Sequence, residues 1–107
     1  MREVTIDPKT ATLIGFALKA NQTVRGFEAV RRSIHKGKLA VILVPHEISA
    51  YSLRKLQKLA KASKLMLVQT VAGTDWQKLW GLSNNKILGI LKGDLGNTIR
   101  TKFNAGV

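Results

Sequence analysis

A glycine and three arginines lie close together early in the chain, at Arg25, Gly26, Arg31 and Arg32. The apolar residues that follow Gly26 recur at helical spacing, which predicts that this glycine stands at the start of a helix. The free backbone amides and the positive dipole of a helix start favour a phosphate group. The glycine would let a nucleic-acid backbone come close, and the arginines could donate to phosphate oxygens or guanine edges. The same residues are equally consistent with a simple turn and a solvated helix face.

The sequence offers few residues for catalysis, because it has two histidines and no cysteine. His35 lies among basic residues and is interpreted as an exposed helix residue or a phosphate contact. His46 and Glu47 follow an apolar run, where α/β proteins often bind ligands, but we interpret Glu47 as a first-turn helix residue that opposes the helix dipole. The histidines belong to no nucleophile motif and make no convincing metal site, and the glycines fit no nucleotide-binding loop. The sequence therefore predicts a protein that is not an enzyme and that needs no metal or cofactor.

The charge of the chain indicates a polyanionic partner. Lysine and arginine number 18 against six acidic residues, so the formal net charge is +12 over 107 residues. Cationic side chains that contact phosphates release counterions, which favours nucleic-acid binding and makes it sensitive to salt. Anionic membranes and acidic protein surfaces are alternatives, but this balance favours a nucleic acid most.

The length and hydropathy favour one folded domain over residues 1–107. An apolar fraction of 45% is ordinary for a globular protein, and 107 residues suffice for a single core. The first residues lack the apolar core of a signal peptide, and no apolar run approaches the roughly twenty residues that cross a bilayer. We therefore expect a cytoplasmic protein that does not enter membranes and is monomeric when free.

Hydrophobic patterning predicts alternating helices and strands over most of the chain. The run from Leu39 to Val44 is continuous and rich in β-branched residues, which indicates a strand covered on both faces. Similar runs extend from Leu65 to Val71 and from Ile87 to Leu91. Helices are predicted from Pro8 to near Asn21, from Gly26 to Gly37, from Ile48 to Ser63, from a capping box at Thr74 and Gln77 to Gly81, and from about Asp94 onward.

The order of these elements predicts the fold class. A strand, a helix and a second strand imply a parallel pair with a right-handed crossover. The whole order predicts an α/β protein, a three-layer α-β-α sandwich with a small mixed, mainly parallel sheet. Thr23 and Val24 could add a short strand at one edge.

Two further groups of side chains could contact a nucleic acid. The helix from Ile48 to Ser63 has lysines on its outer face, but such side chains commonly only make a helix soluble. Trp76 and Trp80 lie one turn apart and could stack on bases. Packing against the core is the favoured interpretation of both tryptophans.

Three segments match the pattern of a known family. They are Ile14-Gly15-Phe16-Ala17-Leu18-Lys19-Ala20, Val24-x-Gly26-x-Glu28-x-Val30-x-Arg32-x-Ile34-x-Lys36-Gly37-Lys38, and the run from Leu39 to Val44. On these segments the chain resembles the ribosomal-protein L-seven-Ae and L-thirty-e family of kink-turn RNA binders, especially its small bacterial ribosome-associated members. Later elements match in order and size, so the resemblance spans nearly the whole chain. It implies an α-β-α sandwich that binds RNA.

The resemblance also implies which residues contact RNA. The start of the second helix would enter a widened groove and contact tandem sheared G·A pairs, while the loop before the last strand would close over a flipped-out nucleotide. Arg25 precedes this helix and belongs to the basic group described above. Carried over by position, the groove contacts are Gly26, Phe27, Glu28, Ala29 and Arg32, the phosphate contacts are Arg31 and Lys36, and the closing loop is Leu82, Ser83, Asn84, Asn85 and Lys86.

The chain departs from this family at two positions. The family's best kink-turn binders have a small polar residue in place of Phe27 and an asparagine in place of Glu28. An acid beside phosphates is unfavourable unless it accepts from a base amino group, so RNA binding is favoured more strongly than kink-turn specificity. We expect a non-catalytic RNA-binding protein of the ribosome or another ribonucleoprotein. The alternative is a module that docks an acidic protein on its basic face, with the tryptophans as the binding hot spot.

Overall fold

Five strands and five helices make up the part of the chain that the computed structural model describes, residues 2–83 and 86–105. Within these residues, no helix combines the length and apolarity needed to cross a bilayer. The strands are β1 (Arg2–Val4), β2 (Thr23–Arg25), β3 (Leu39–Val44), β4 (Met66–Thr70) and β5 (Leu88–Leu91). The helices are α1 (Pro8–Lys19), α2 (Phe27–His35), α3 (Ala50–Ala62), α4 (Trp76–Trp80) and α5 (Asp94–Ala105).

Strand β3 lies at the centre of the sheet, and every one of its residues is buried. Successive side chains of a strand point to opposite faces. Val41 and Leu43 accordingly pack with residues of α1, α4 and α5, whereas Ile42 and Val44 pack with residues of α2 and α3. Helices therefore cover both faces of the sheet, which confirms the predicted α-β-α sandwich.

The sheet has the strand order β1-β4-β3-β5-β2. Strand β4 is parallel to β1 and β3, whereas β5 is antiparallel to β3 and β2. Among the five described strands, four therefore point in one direction and β5 in the opposite one, so the sheet is mixed, as predicted. Strand β2 is the edge strand suggested by the sequence. We call the end at which β3 and β4 finish the apical end of the sheet, and the end at which they begin the basal end.

Strand β1 was not predicted from the sequence. It is a parallel edge strand in which Arg2, Glu3 and Val4 pair with residues of β4. One apolar residue among three is too weak a pattern to indicate a strand. The strand forms because the exposed edge of β4 offers backbone partners.

Helix α3 begins later than predicted. Its cap is Ser49, whose hydroxyl accepts a hydrogen bond from the amide of Ser52 at 3.1 Å, so the helix starts at Ala50 and not at Ile48. Glu47 thus precedes the helix. The interpretation of Glu47 as a first-turn residue that opposes the helix dipole was wrong.

The predicted capping box at the start of α4 was also wrong. The cap is Asp75, whose carboxylate accepts from the amide of Lys78 at 3.2 Å. The hydroxyl of Thr74 instead donates to the carbonyl oxygen of Val71 at 2.8 Å. Two good capping residues stand next to each other, and the turn that follows β4 decides between them.

Both tryptophans of α4 pack against the core, as predicted, and Trp80 stays partly exposed. Trp76 is fully buried, and its indole N–H donates to the Thr70 hydroxyl at 3.1 Å. The indole N–H of Trp80 donates to the carbonyl oxygen of Ala11 at 3.0 Å. The two rings meet edge to face with their centroids 5.2 Å apart. Trp76 therefore presents no surface on which a base or a protein partner could pack.

Candidate nucleic-acid interface

Gly26 is the N-cap of α2 and has a conformation that favours glycine. Its φ and ψ are 90° and 158°, a region in which other residues are strained. Its amide donates to the carbonyl oxygen of Ile87, the residue immediately before β5, at 2.9 Å. The start of α2 is therefore held against the end of the loop that precedes β5.

Three backbone amides at the start of α2 precede the first hydrogen bond within the helix. That bond runs from the amide of Val30 to the carbonyl oxygen of Gly26 at 3.1 Å. The amides of Phe27, Glu28 and Ala29 therefore have no acceptor within α2. Gly26 has no side chain that could cap them. An anion could accept from these amides and would gain from the helix dipole.

The loop between α4 and β5 lies beside this helix start. The amide of Lys86 donates to the carbonyl oxygen of Ser83 at 3.1 Å, and both residues are exposed. Asn84 and Asn85, which were also predicted contacts, lie outside the described residues. Lys86 directly precedes Ile87, so the loop brings Lys86, and Ser83 hydrogen-bonded to it, toward the start of α2.

The two predicted halves of the site therefore come together at the apical end of the sheet. Arg25 is paired with Leu88 across β2 and β5, and neighbouring strands lie about 5 Å apart. Arg25 and Arg32 are both exposed. We call this region the apical surface, and it consists of Arg25, Gly26, Phe27, Glu28, Ala29, Arg31, Arg32, Ser83 and Lys86.

Lys36 is a predicted phosphate contact that lies away from the apical surface. It is the C-cap of α2. A rise of about 1.5 Å per residue places its backbone roughly 15 Å from that of Gly26. The structure therefore puts Lys36 at the basal end of the sheet.

Glu28 and Arg31 form an ion pair on the first turns of α2. The Arg31 guanidinium donates to Glu28 Oε2 from Nη2 at 2.7 Å and from Nε at 3.2 Å. The hydrogen bond and charge of Arg31 hold the pKa of Glu28 below its ordinary value, and the Glu28 carboxylate raises the pKa of Arg31. Arg31 thus balances the negative charge of Glu28, which the sequence places beside the predicted phosphate contacts.

Two residues of α3 extend the apical surface. Lys55 is one of the lysines of this helix considered above, whereas Tyr51 was not singled out from the sequence. Lys55 lies close enough to Glu28 for its charge to contribute to the lowered pKa of that carboxyl. Its Nζ is 4.5 Å from the centre of the Tyr51 ring, a cation-π contact, and Tyr51 is 62% exposed. The signal in the sequence was an aromatic residue four positions before a lysine, which places the two on one helix face.

The two histidines lie apart from each other and do different things. His46 Nδ1 is 3.3 Å from Glu3 Oε2, so it joins the turn after β3 to the edge strand β1. His35 is exposed in the last turn of α2. Across the residues that the structure describes, no three histidine, cysteine or acidic residues group together as metal ligands would.

The fold is shared with solved structures whose sequences differ widely from this one. A protein of unknown function from Bacillus halodurans C matches with a TM-score of 0.76 and 17% identity, over 92% of this chain and 99% of that chain. The Giardia lamblia 15.5kD RNA binding protein matches with a TM-score of 0.70 and 14% identity, over 96% of this chain and 94% of that chain. No protein-family model and no curated protein matches the sequence.

A larger protein contains the same fold as one part. The archaeal translation termination factor aRF1 matches with a TM-score of 0.54 and 20% identity, over 75% of this chain but 23% of the factor. The TM-scores show that the fold is shared, and at identities this low the matches show nothing beyond the fold. The shared fold is the one implied by the sequence resemblance described above.

Proposed function

We propose that this protein binds structured RNA through the apical surface and catalyses no reaction of its own. The observation that carries the proposal is the hydrogen bond between Gly26 and Ile87, which holds the start of α2 against the loop before β5. An RNA strand that passes this point would meet the backbone amides at the start of α2 on one side and Lys86 on the other. Helix amides and cationic side chains are the groups that commonly bind phosphate in nucleic-acid complexes.

The comparisons and the charge support RNA as the ligand. The Giardia protein that matches over 96% of this chain is named an RNA binding protein. The net charge of +12 attracts phosphates to the protein as a whole. The apical surface adds to that charge a defined set of backbone and side-chain donors.

Kink-turn RNA is the structured RNA that we propose. Two contacts bear on the departures from the family pattern noted above. Phe27 is half-buried and packs against the core between the sheet and α2 and α3, so most of its ring need not occupy the groove. Glu28 is paired with Arg31, so its charge is balanced before RNA arrives. We further propose a ribosomal or other ribonucleoprotein partner in the cytoplasm, and a monomer when free.

A binding titration against two RNAs tests this function. The probes are a kink-turn stem and a straight duplex of equal length, each titrated over a series of salt concentrations. The protein is expected to prefer the kink-turn by about tenfold or more, and base contacts should preserve this preference at high salt. Equal and salt-sensitive binding to both would refute kink-turn recognition. Absence of binding to either RNA would refute the RNA-binding function.

A matched pair of variants tests whether the apical surface is the one that binds. Arg25→Ala combined with Arg32→Ala removes two exposed cations of that surface and is expected to weaken kink-turn binding about tenfold or more. Arg31 is kept because it balances Glu28. The control combines Lys9→Ala with Lys78→Ala, which removes the same charge from exposed residues of α1 and α4. An equal loss of affinity in both variants would show that the surface is wrongly assigned.

A further inference from the structure

Five exposed cations converge at the basal end of the sheet. Lys36 and Lys38 follow α2, Lys64 follows α3, Lys92 follows β5, and Arg100 lies on α5. The amide of Lys92 donates to the carbonyl oxygen of Lys38 at 2.9 Å, which ties the end of β5 to the segment after α2. We call these five residues the basal cluster.

Three members of the basal cluster face one concave pocket. Lys64, Lys92 and Arg100 line a pocket of about 160 Å³, whose other lining residues are Ser63, Gly37 and the apolar residues Ile34, Leu39 and Leu65. These cations come from the segment after α3, the segment after β5 and the middle of α5. A pocket lined by cations from three separate elements can surround a phosphate group, whereas a row of cations on one helix contacts it from one side.

Acidic residues are nearly absent from the basal end. Asp94, at the start of α5, is the exception among the six acids of the chain. The others lie on β1 or in segments and helix starts toward the apical end, and they are Glu3, Asp7, Glu28, Glu47 and Asp75. Within the described residues, Arg31 forms an ion pair with Glu28 and His46 contacts Glu3, so no acidic residue pairs with the basal cluster.

The negative ends of helix dipoles explain part of the basal cluster and not the rest. A cation just after a helix is stabilised by the helix C-terminus, and this accounts for Lys36 and Lys64. Lys92 follows a strand, and Arg100 lies in the middle of a helix. No helix end accounts for these two, although both line the pocket.

Lys64 has a backbone conformation that usually belongs to glycine. Its φ is 54°, and it directly follows the C-cap of α3, where the amide of Leu65 donates to the carbonyl oxygen of Ala60 at 2.8 Å. Gly37 occupies the equivalent position after α2 with a φ of 66°. Glycine would be less strained at position 64. The lysine thus places a positive charge at the pocket, although its strained backbone makes the fold less stable than glycine would.

We propose that the basal cluster binds the phosphodiester backbone of a second RNA segment, so that the protein bridges two parts of an RNA. Strand β3 spans six residues, so the two ends of the sheet lie roughly 20 Å apart. The apical surface and the basal cluster lie at opposite ends, so each is placed to contact its own RNA segment. The bridging role rests on the proposed function of the apical surface. Each end of the sheet can nevertheless be tested with its own probe.

The test compares two variants that lose the same charge. The basal variant combines Lys64→Gly with Lys92→Gln. The control combines Asn21→Gly with Lys9→Gln and Lys78→Gln, because Asn21 has the same left-handed conformation after α1, with a φ of 59°. Both variants thus lose two cations and one strained residue. The probes are a short oligouridine, which offers an unstructured backbone, and the kink-turn stem used above.

The basal variant is expected to bind oligouridine about fivefold more weakly than the wild type, and the control less than about twofold more weakly. The wild-type complex with the kink-turn should also take up oligouridine as a third component in native mass spectrometry. Equal losses in the two variants, or displacement of one RNA by the other, would overturn the basal site while leaving the apical function standing. If the protein does not prefer the kink-turn but the basal variant still binds oligouridine more weakly than the control does, only the apical function is overturned.

Discussion

Arg31 holds the Glu28 carboxylate through two hydrogen bonds, at 2.7 and 3.2 Å, at the helix start that forms the apical surface. An acid and a predicted phosphate contact thus balance each other in the free protein. Both side chains are well exposed, at 40% for Arg31 and 64% for Glu28, so the pair can rearrange when RNA arrives. The pair therefore sets how much positive charge the apical surface presents.

The variant Glu28→Gln should bind kink-turn RNA more tightly. It removes a negative charge near phosphates and releases Arg31, while the glutamine oxygen still accepts hydrogen bonds. We expect a gain of about threefold at low salt that shrinks as salt rises. The measurement is a titration of wild type and variant over the same salt series. Weaker binding by the variant would contradict the prediction and show that the carboxylate itself is required.

The variant Arg31→Ala should raise the pKa of Glu28 toward its ordinary value of 4.5, because the hydrogen bond and charge of Arg31 are its main cause of lowering. Because the pKa of Glu28 is lower in the folded state than in the unfolded state, its pairing with Arg31 stabilises the fold at pH values above the ordinary pKa. This contribution is lost as the pH falls through the lowered pKa. NMR titration of the Glu28 side-chain carboxyl carbon in both proteins measures the shift. An unchanged pKa would show that the pair does not persist in solution.

The variant Gly26→Ala should lose both stability and RNA affinity. The added methyl group has nothing within 4 Å, so the cost comes from the backbone, whose φ of 90° is strained for alanine. We expect a loss of about 1–3 kcal/mol in the free energy of unfolding, measured by urea denaturation. Gly15→Ala in α1 is the control, since it is equally uncrowded and should stabilise its helix by about 0.5–1 kcal/mol. Equal effects in both would argue against a required conformation at Gly26.

The variant Lys64→Gly should stabilise the protein while weakening its binding to oligouridine. Glycine relieves the left-handed conformation at this position, which is expected to raise the free energy of unfolding by about 1 kcal/mol. Thermal and urea denaturation measure the first effect, and the oligouridine titration measures the second. A gain in stability without a loss of affinity would show that Lys64 contributes nothing to the basal site.

Most of the fold follows from local patterns in the sequence. The run from Leu39 to Val44 is apolar throughout because β3 is covered on both faces, and a short β-branched run that ends at a proline is typical of such a strand. Helix α2 follows from its apolar spacing and from Gly26 and Gly37 at its two ends. Strand β1 escaped prediction because it is stabilised by the edge of β4 and not by its own residues.

The sequence predicted most residues of the apical surface but not the contacts between them. Gly26 and the neighbouring arginines stand out in the sequence, and the resemblance indicated the loop that faces them. The pairing of Glu28 with Arg31 depends on which of several basic neighbours the carboxylate selects. The position of Lys55 beside Glu28 depends on how α3 packs against α2, which no local pattern specifies.

The sequence by itself determined the strong positive charge, the central strand, the order of helices and strands from α1 onward and the glycine at the start of α2. The charge is a sum over the chain, and each of the other features depends on residues within a few positions of one another. Only the tertiary structure decided that Gly26 meets Ile87 and that Lys64, Lys92 and Arg100 share a pocket. Those relationships join segments far apart in the chain, and they exist because the crossover connections and the antiparallel β5 bring the ends of different elements to the same end of the sheet.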